Sequence, residues 1–320
     1  MGQIPVTTTS RPTASLYQRF TNWLPQGINR PVRVFAWLSL IFQTVLIGTG
    51  GAVRLTGSGL GCPTWPKCTP ESYTSTPEMG IHGIIEFGNR TLTFVLVIIA
   101  IAAFLSVWNL RKTRRDLFWL TFLQGMSIPL QAVLGGIVVL TGLNSYLVGA
   151  HFVISLILVA LTTTLVYRVY FGAAGAVRTS RGYKLLTHVM SALVAIAAVV
   201  GILTTGSGPH AGDADVPRNG LDPELMQHLH AWPGYLMFGA TVLILIVAVR
   251  QKYAVKPVVW LLIAQVGQIL LGIAQSRLGL PEIMVGTHMV LAGVVIALAT
   301  RVVLETRASI PEPETLAQRA

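Results

Sequence analysis

Charge is scarce in this chain. Asp, Glu, Lys and Arg make up 11% of its 320 residues, where soluble domains carry roughly 25%, and 52% of the residues are apolar. That balance excludes a soluble globule. Acids are scarcer still, 12 against 23 Lys and Arg, so the net charge of +11 has to be located before it is read as a partner signal. Two cysteines exclude a disulfide scaffold and a Cys-rich metal cluster, and allow one disulfide. The polar first thirty residues have no apolar core ending in a small-residue cleavage site, so they do not read as a secretory signal.

What the chain has in abundance is apolar runs of membrane length, about 20 residues each, with a mean hydropathy of +0.65. They fall near 33–53, 82–107, 118–140, 146–168, 185–205, 225–249, 257–277 and 284–304. The expectation is an all-α membrane protein of eight transmembrane helices in four hairpins. Of the 23 basic residues, 18 lie before the first span, in every second connection or from Arg301 on, and eight of the 12 acids lie on the opposite side. The positive-inside rule then places both termini in the cytoplasm. Topology accounts for the basic excess, so no nucleic-acid partner is expected; membrane lipid is.

The spans repeat. Gln131, Gly135, Leu143, Val148, Gly149 and His151 match Gln268, Gly272, Leu280, Val285, Gly286 and His288 at one offset of 137 residues, and Thr56-Gly57-Ser58-Gly59 is echoed 149 residues on by Thr205-Gly206-Ser207-Gly208. Two tandem four-helix bundles related by a pseudo-twofold repeat follow, in the same orientation because an even number of crossings separates them. The expected division is a cytoplasmic tail over 1–32, a first four-helix unit over 33–168, a cytoplasmic linker over 169–184, a second unit over 185–304 and a cytoplasmic tail over 305–320.

Ionisable residues inside spans are expensive and mark function. His151, His230 and His288 each sit about five residues into an even-numbered span, a shared depth of roughly 8 Å. The second span offers His82, Glu86 and Asn89 on one helical face, with Arg90 beside them. Facing imidazoles from neighbouring helices suit haem iron, whereas zinc or copper would want three or four close ligands. His210, in an outer loop, and His188, near an inner helix end, read as structural, and His228 as interfacial. Glu86 is the one carboxylate inside an apolar segment. Two readings stand beside each other for it: a structural salt bridge to Arg90 one turn on, and a reactive group. Cys62 and Cys68, six residues apart in the first outer loop, read as a disulfide in an oxidising exterior, either structural or redox-active.

Together, Thr56-Gly57-Ser58-Gly59 with Gly61-Cys62 and Cys68, Ile85-Glu86-Phe87-Gly88-Asn89-Arg90, Gly149-Ala150-His151-Phe152, His230 and Gly286-Thr287-His288 resemble the bacterial haem A synthase family across all eight spans. The resemblance implies a mono-oxygenase-type enzyme of the bacterial plasma membrane that oxidises a ring methyl of haem O to a formyl group, giving haem A for terminal oxidases. It implies a haem b cofactor held by the axial ligands His230 and His288 in the C-terminal half, substrate haem and its iron on His151 in the N-terminal half, and Glu86 as the essential carboxylate. The expected partners are the haem O substrate, the enzyme that makes haem O, and an electron donor. Where many members carry His before the motif Arg, this chain has Asn89, which leaves His82, Asn89 or no residue as the second substrate-side ligand; Arg90 belongs to that site as well. The second outer loop, 206–224, lacks a second cysteine pair. A di-haem b-type electron-transfer cytochrome is the runner-up reading, and a transporter the third.

Overall fold

The computed structural model describes residues 15–310. A short helix α1 (Leu16–Trp23) precedes eight long ones: α2 (Arg30–Leu55), α3 (Gly80–Ser106), α4 (Arg115–Leu140), α5 (Ser145–Phe171), α6 (Arg181–Ser207), α7 (Pro223–Gln251), α8 (Val255–Arg277) and α9 (Glu282–Leu304). All eight of the long helices are long and apolar enough to cross a membrane, so the chain is a multi-pass, all-α membrane protein. Their starts carry the expected chemistry. Asn29, Asn144, Ser180 and Asp222 each accept a hydrogen bond from a backbone N–H of the first turn, satisfying donors that have no intrahelical partner.

Helix α2 packs on α3 and α5, and α4 packs on the same two helices; in the second half α6 packs on α7 and α9, and α8 on α7 and α9. The halves meet where α9 lies against α2 and α5, and α5 against α6. Small residues permit the closest crossing, as membrane helix pairs require in the absence of a hydrophobic drive between them. A Cβ on Gly48 would stand 3.1 Å from Val290, and one on Gly51 3.3 Å from Met289, while Gly293 faces Ile47. Ile47, Leu156 and Val159 are buried in this seam with Met289 and Ile296 packed on them.

The repeat is visible in backbone geometry. Gly142 and Leu143 after α4 both have left-handed φ, 61° and 59°, and Gly279 and Leu280 after α8 have 77° and 60°. The Leu143 N–H donates to the Val138 carbonyl and the Leu280 N–H to the Gln275 carbonyl. A left-handed leucine is uncommon, so its recurrence at one offset marks two copies of the same turn.

Two elements depart from the expected plan. The N-terminal tail, expected to run to residue 32, contains α1, closed by a reciprocal cap between Ser15 and Gln18, and α2 begins at Arg30. The expected linker contains β1 (Ala173–Val177), which pairs antiparallel with β2 (Arg307–Ile310) from the C-terminal segment. Local periodicity carries no signal for a pairing between segments more than a hundred residues apart. The outermost parts of the expected tails, 1–14 and 311–320, lie outside the described residues.

Candidate functional site

The sequence-predicted residues gather at the end of the bundle where α2 and α6 finish and α3, α5, α7 and α9 begin. In the second half, His230 on α7 and His288 on α9 bring their rings to a centroid separation of 6.1 Å, edge to face. His230 Nδ1 lies 3.0 Å from the Ala197 carbonyl of α6. A carbonyl only accepts, so Nδ1 carries the proton and Nε2 keeps its lone pair. Room for the rings comes from glycine: a Cβ on Gly201 would meet the His230 ring at 2.7 Å, and one on Gly272 would meet His288 Cε1 at 3.3 Å. The Gln268 side chain donates to the His288 carbonyl at 3.1 Å, and His288 Nδ1 is buried with no hydrogen-bond partner among the described residues.

The first half repeats one side of this arrangement. His151 on α5 stands against Gly135, 3.4 Å from a Cβ there to Cε1, and the Gln131 side chain donates to the His151 carbonyl at 3.1 Å. Its Nδ1 is likewise buried and unpartnered among the described residues. The other side differs. Asn89 Oδ1 accepts from the Thr49 hydroxyl of α2 at 2.7 Å. Thr49 lies seven residues before the Thr56 that opens the first Thr-Gly-Ser-Gly, and Ala197 eight before the Thr205 that opens the second. Asn89 thus reaches α2 at the level, to within a residue, at which His230 reaches α6.

His82 sits nearer the surface. It is exposed, its Nδ1 lies 3.0 Å from the Ser58 hydroxyl, and it lines an open cleft of about 610 Å³ shared with Met79 and with Asp213 of the second outer loop. His188 and His228 are exposed. His210 is in the second outer loop, where burial pushes its imidazole below the ordinary value, Glu282 opposes that and Arg54 and Arg218 add to it.

Glu86, 5% exposed, resolves into a clamp. One carboxylate oxygen accepts the Cys62 backbone N–H at 2.6 Å, and the other pairs with the Arg90 guanidinium. Arg90 in turn donates to the carbonyls of Cys62 at 3.0 Å and of Thr64 at 3.1 Å. Of the two readings of Glu86, the salt bridge to Arg90 is therefore present, and it holds the first outer loop down on α3. Cys62 and Cys68 are joined in a disulfide with Cα atoms 4.4 Å apart, both fully buried. Between them, Trp65 crosses to α4 and lies on Gly136, where any Cβ would collide with its ring.

Sequence reasoning passed over Arg54. Its guanidinium donates to the His210 carbonyl at 2.7 Å and the Thr205 carbonyl at 3.2 Å, and the Gly59 N–H donates to the Gly212 carbonyl at 2.9 Å, locking the two outer loops together. An arginine at the end of an apolar run was the available signal. Thr49 gave no signal, because hydroxyls are common in spans and only the fold supplies its partner.

The donor set fits a haem better than a bare metal ion. The donors come as one pair of imidazoles with ring centroids 6.1 Å apart, and among the described residues no three His, Cys, Asp or Glu side chains converge on one point, whereas a bare zinc or copper ion takes three or four. The fold and site thus define a multi-pass helical membrane protein with paired imidazoles inside the bundle. Residues 33–300 match the model of the cytochrome oxidase assembly protein family, COX15-CtaA, and the chain belongs to that family. Among curated proteins it is similar to the heme A synthases of Bacillus pumilus, 36% identical over 121 residues, and of Listeria monocytogenes serotype 4b, 32% identical over 127. It is also similar to that of Lysinibacillus sphaericus, 34% identical over 134 residues. These matches cover 37–40% of this chain and only 38–42% of the relatives.

Proposed function

We propose that the protein is a haem A synthase, oxidising a methyl group of haem O to the formyl group of haem A. The observation that carries this reading is the unequal pair of repeated sites. The Gln131–Gly135–His151 and Gln268–Gly272–His288 arrangements are alike in distance, yet among the described residues only the second is completed by an opposing imidazole. A site with two histidines suits a resident haem b, bound by His230 and His288, which supplies electron transfer when present. A site with one histidine suits a haem that is itself the substrate, because an axial position stays available for chemistry.

In this reading α2–α5 and α6–α9 are tandem four-helix units, with both termini cytoplasmic and the histidines near the outer face of the plasma membrane. His151 binds the substrate iron, and Asn89 takes the place that His230 holds in the other unit. His82 is left at the mouth of the site. Glu86 and Arg90 hold the disulfide loop over the substrate side and exclude water, and Glu86, the buried carboxylate of that clamp, is proposed to take a proton there. Haem O comes from the enzyme that makes it, and a separate electron donor serves the reaction.

One observation favours the runner-up, a di-haem b-type electron-transfer cytochrome. Glu86 is spent on the clamp, so a buried carboxylate beside one site no longer argues for catalysis by itself. The discriminating experiment is the pyridine haemochrome spectrum and the extracted haem composition of the purified protein. Haem b together with O- or A-type haem is expected; haem b alone at two per chain would establish the carrier instead.

A further inference from the structure

At the opposite end of the bundle, α2 begins and α5 finishes beside each other. Among them opens a cleft of about 330 Å³ lined by Arg30, Arg33, Val34, Trp37, Leu38 and Tyr170. Its polar rim is cationic. The Arg33 guanidinium lies over the Tyr170 ring, 5.6 Å from the centroid, and the Tyr170 hydroxyl accepts from the Trp37 indole N–H at 3.1 Å, which leaves its own proton free to donate. Among the described residues neither Arg30 nor Arg33 has a carboxylate within ion-pair distance, although Arg90, Arg114, Arg178 and Arg301 each do. Below the rim the lining is apolar, with Val34 and Leu38 one turn apart on the same face.

The level of this cleft is marked twice. Trp37 and Tyr170 are 45% and 48% exposed, the amphipathic aromatics that collect where hydrocarbon meets headgroups. Helix α1 lies at the same end, tied to the α3–α4 connection by Asn109 donating to the Thr21 carbonyl and Arg111 to the Tyr17 hydroxyl. It turns Leu16, Phe20 and Trp23, at i, i+4 and i+7, outward at 83%, 43% and 79% exposure. An apolar helical face left open beside spanning helices fits a helix lying in the interfacial plane.

We propose that this cleft is a binding site for an anionic diacyl phospholipid. Arg30 and Arg33 receive the phosphate, Tyr170 donates its hydroxyl to a phosphate oxygen, and one acyl chain runs along Val34 and Leu38. A headgroup bearing net negative charge complements two cations that have no carboxylate of their own, and the apolar floor is what separates a lipid from a free anion. The site lies on the far side of the bundle from the histidines and does not depend on the function proposed above.

The test is native mass spectrometry of the full-length protein in neutral detergent, counting retained phosphatidylglycerol, phosphatidylcholine and inorganic phosphate, each added separately. Phosphatidylglycerol is expected to be retained and phosphatidylcholine to be lost. Arg30→Gln and Arg33→Gln should each lower phosphatidylglycerol affinity about fivefold, and Lys256→Gln, an exposed cation at the same end, should leave it unchanged. Tyr170→Phe, which keeps the ring and removes one donor, should weaken binding at least about twofold and serves if the arginine variants fail to fold. Equal retention of the two lipids, unchanged binding in the Arg30→Gln/Arg33→Gln double variant, or displacement of phosphatidylglycerol by millimolar inorganic phosphate would overturn the proposal.

Discussion

Helices α2–α5 and α6–α9 place a histidine in the same way and then treat it differently. His288 faces His230, whose tautomer is set by the Ala197 carbonyl. In the half that carries His151, the α3 side chain at the corresponding level is Asn89, tied to Thr49, and that end of the bundle carries a disulfide loop clamped through Glu86 and Arg90. The second half has the paired imidazoles proposed above to hold a haem. The other trades one of those groups for a covered site. The glutamine–glycine–histidine scaffold is the same in both halves, so a few differing positions around it separate the two proposed sites.

The largest effects should come from the completed pair. His230→Ala or His288→Ala removes one of two facing donors, and haem b content should fall to near zero with membrane insertion intact; unchanged stoichiometry in both variants would remove the ligand assignment. Next is the clamp. Glu86→Ala leaves the Arg90 guanidinium without its counter-charge at a largely buried position, a loss of about 3 kcal/mol, expected as a lower melting temperature and faster proteolysis of the 61–79 loop. Glu86→Gln keeps an acceptor for the Cys62 N–H but removes the counter-charge of Arg90, so it should loosen the loop less than Glu86→Ala while abolishing conversion of bound substrate haem. Full activity in that variant would reduce Glu86 to a structural role.

Asn89→His sharpens the comparison most directly, since it gives the first half the imidazole that the second half has. The substrate-side haem should pass from high to low spin in the absorption and electron paramagnetic resonance spectra, whereas His82→Ala should leave both spectra unchanged. A low-spin signal lost on His82→Ala would transfer the ligand role to His82. The smallest effect is expected at Gly272→Ala, where a methyl group 3.3 Å from His288 Cε1 has to shift the ring by a few tenths of an ångström, at a cost of about 1 kcal/mol. Gly135→Ala should do the same to His151, and a difference between the two would measure how rigidly each half holds its histidine.

The eight spans were legible to within a few residues, because length and hydropathy are local properties and a bilayer allows few alternatives to a helix. The repeat was legible too: residues matched at an offset of 137 turned out to share a glutamine-to-carbonyl hydrogen bond, a glycine seat and a left-handed leucine. The Cys62–Cys68 pair was legible as two cysteines sharing one outer loop, and span position alone placed His151, His230 and His288 at one end of the bundle. What only the tertiary structure decided is which side chains those residues meet. Whether Glu86 is free or clamped depends on a loop that folds back on α3, and whether His82 or Asn89 corresponds to His230 depends on the register between antiparallel helices, which hydropathy does not encode. The α1 helix and the pairing of β1 with β2 were hidden for the same reason: their stability comes from contacts with segments distant in the chain, and periodicity reports only on neighbours.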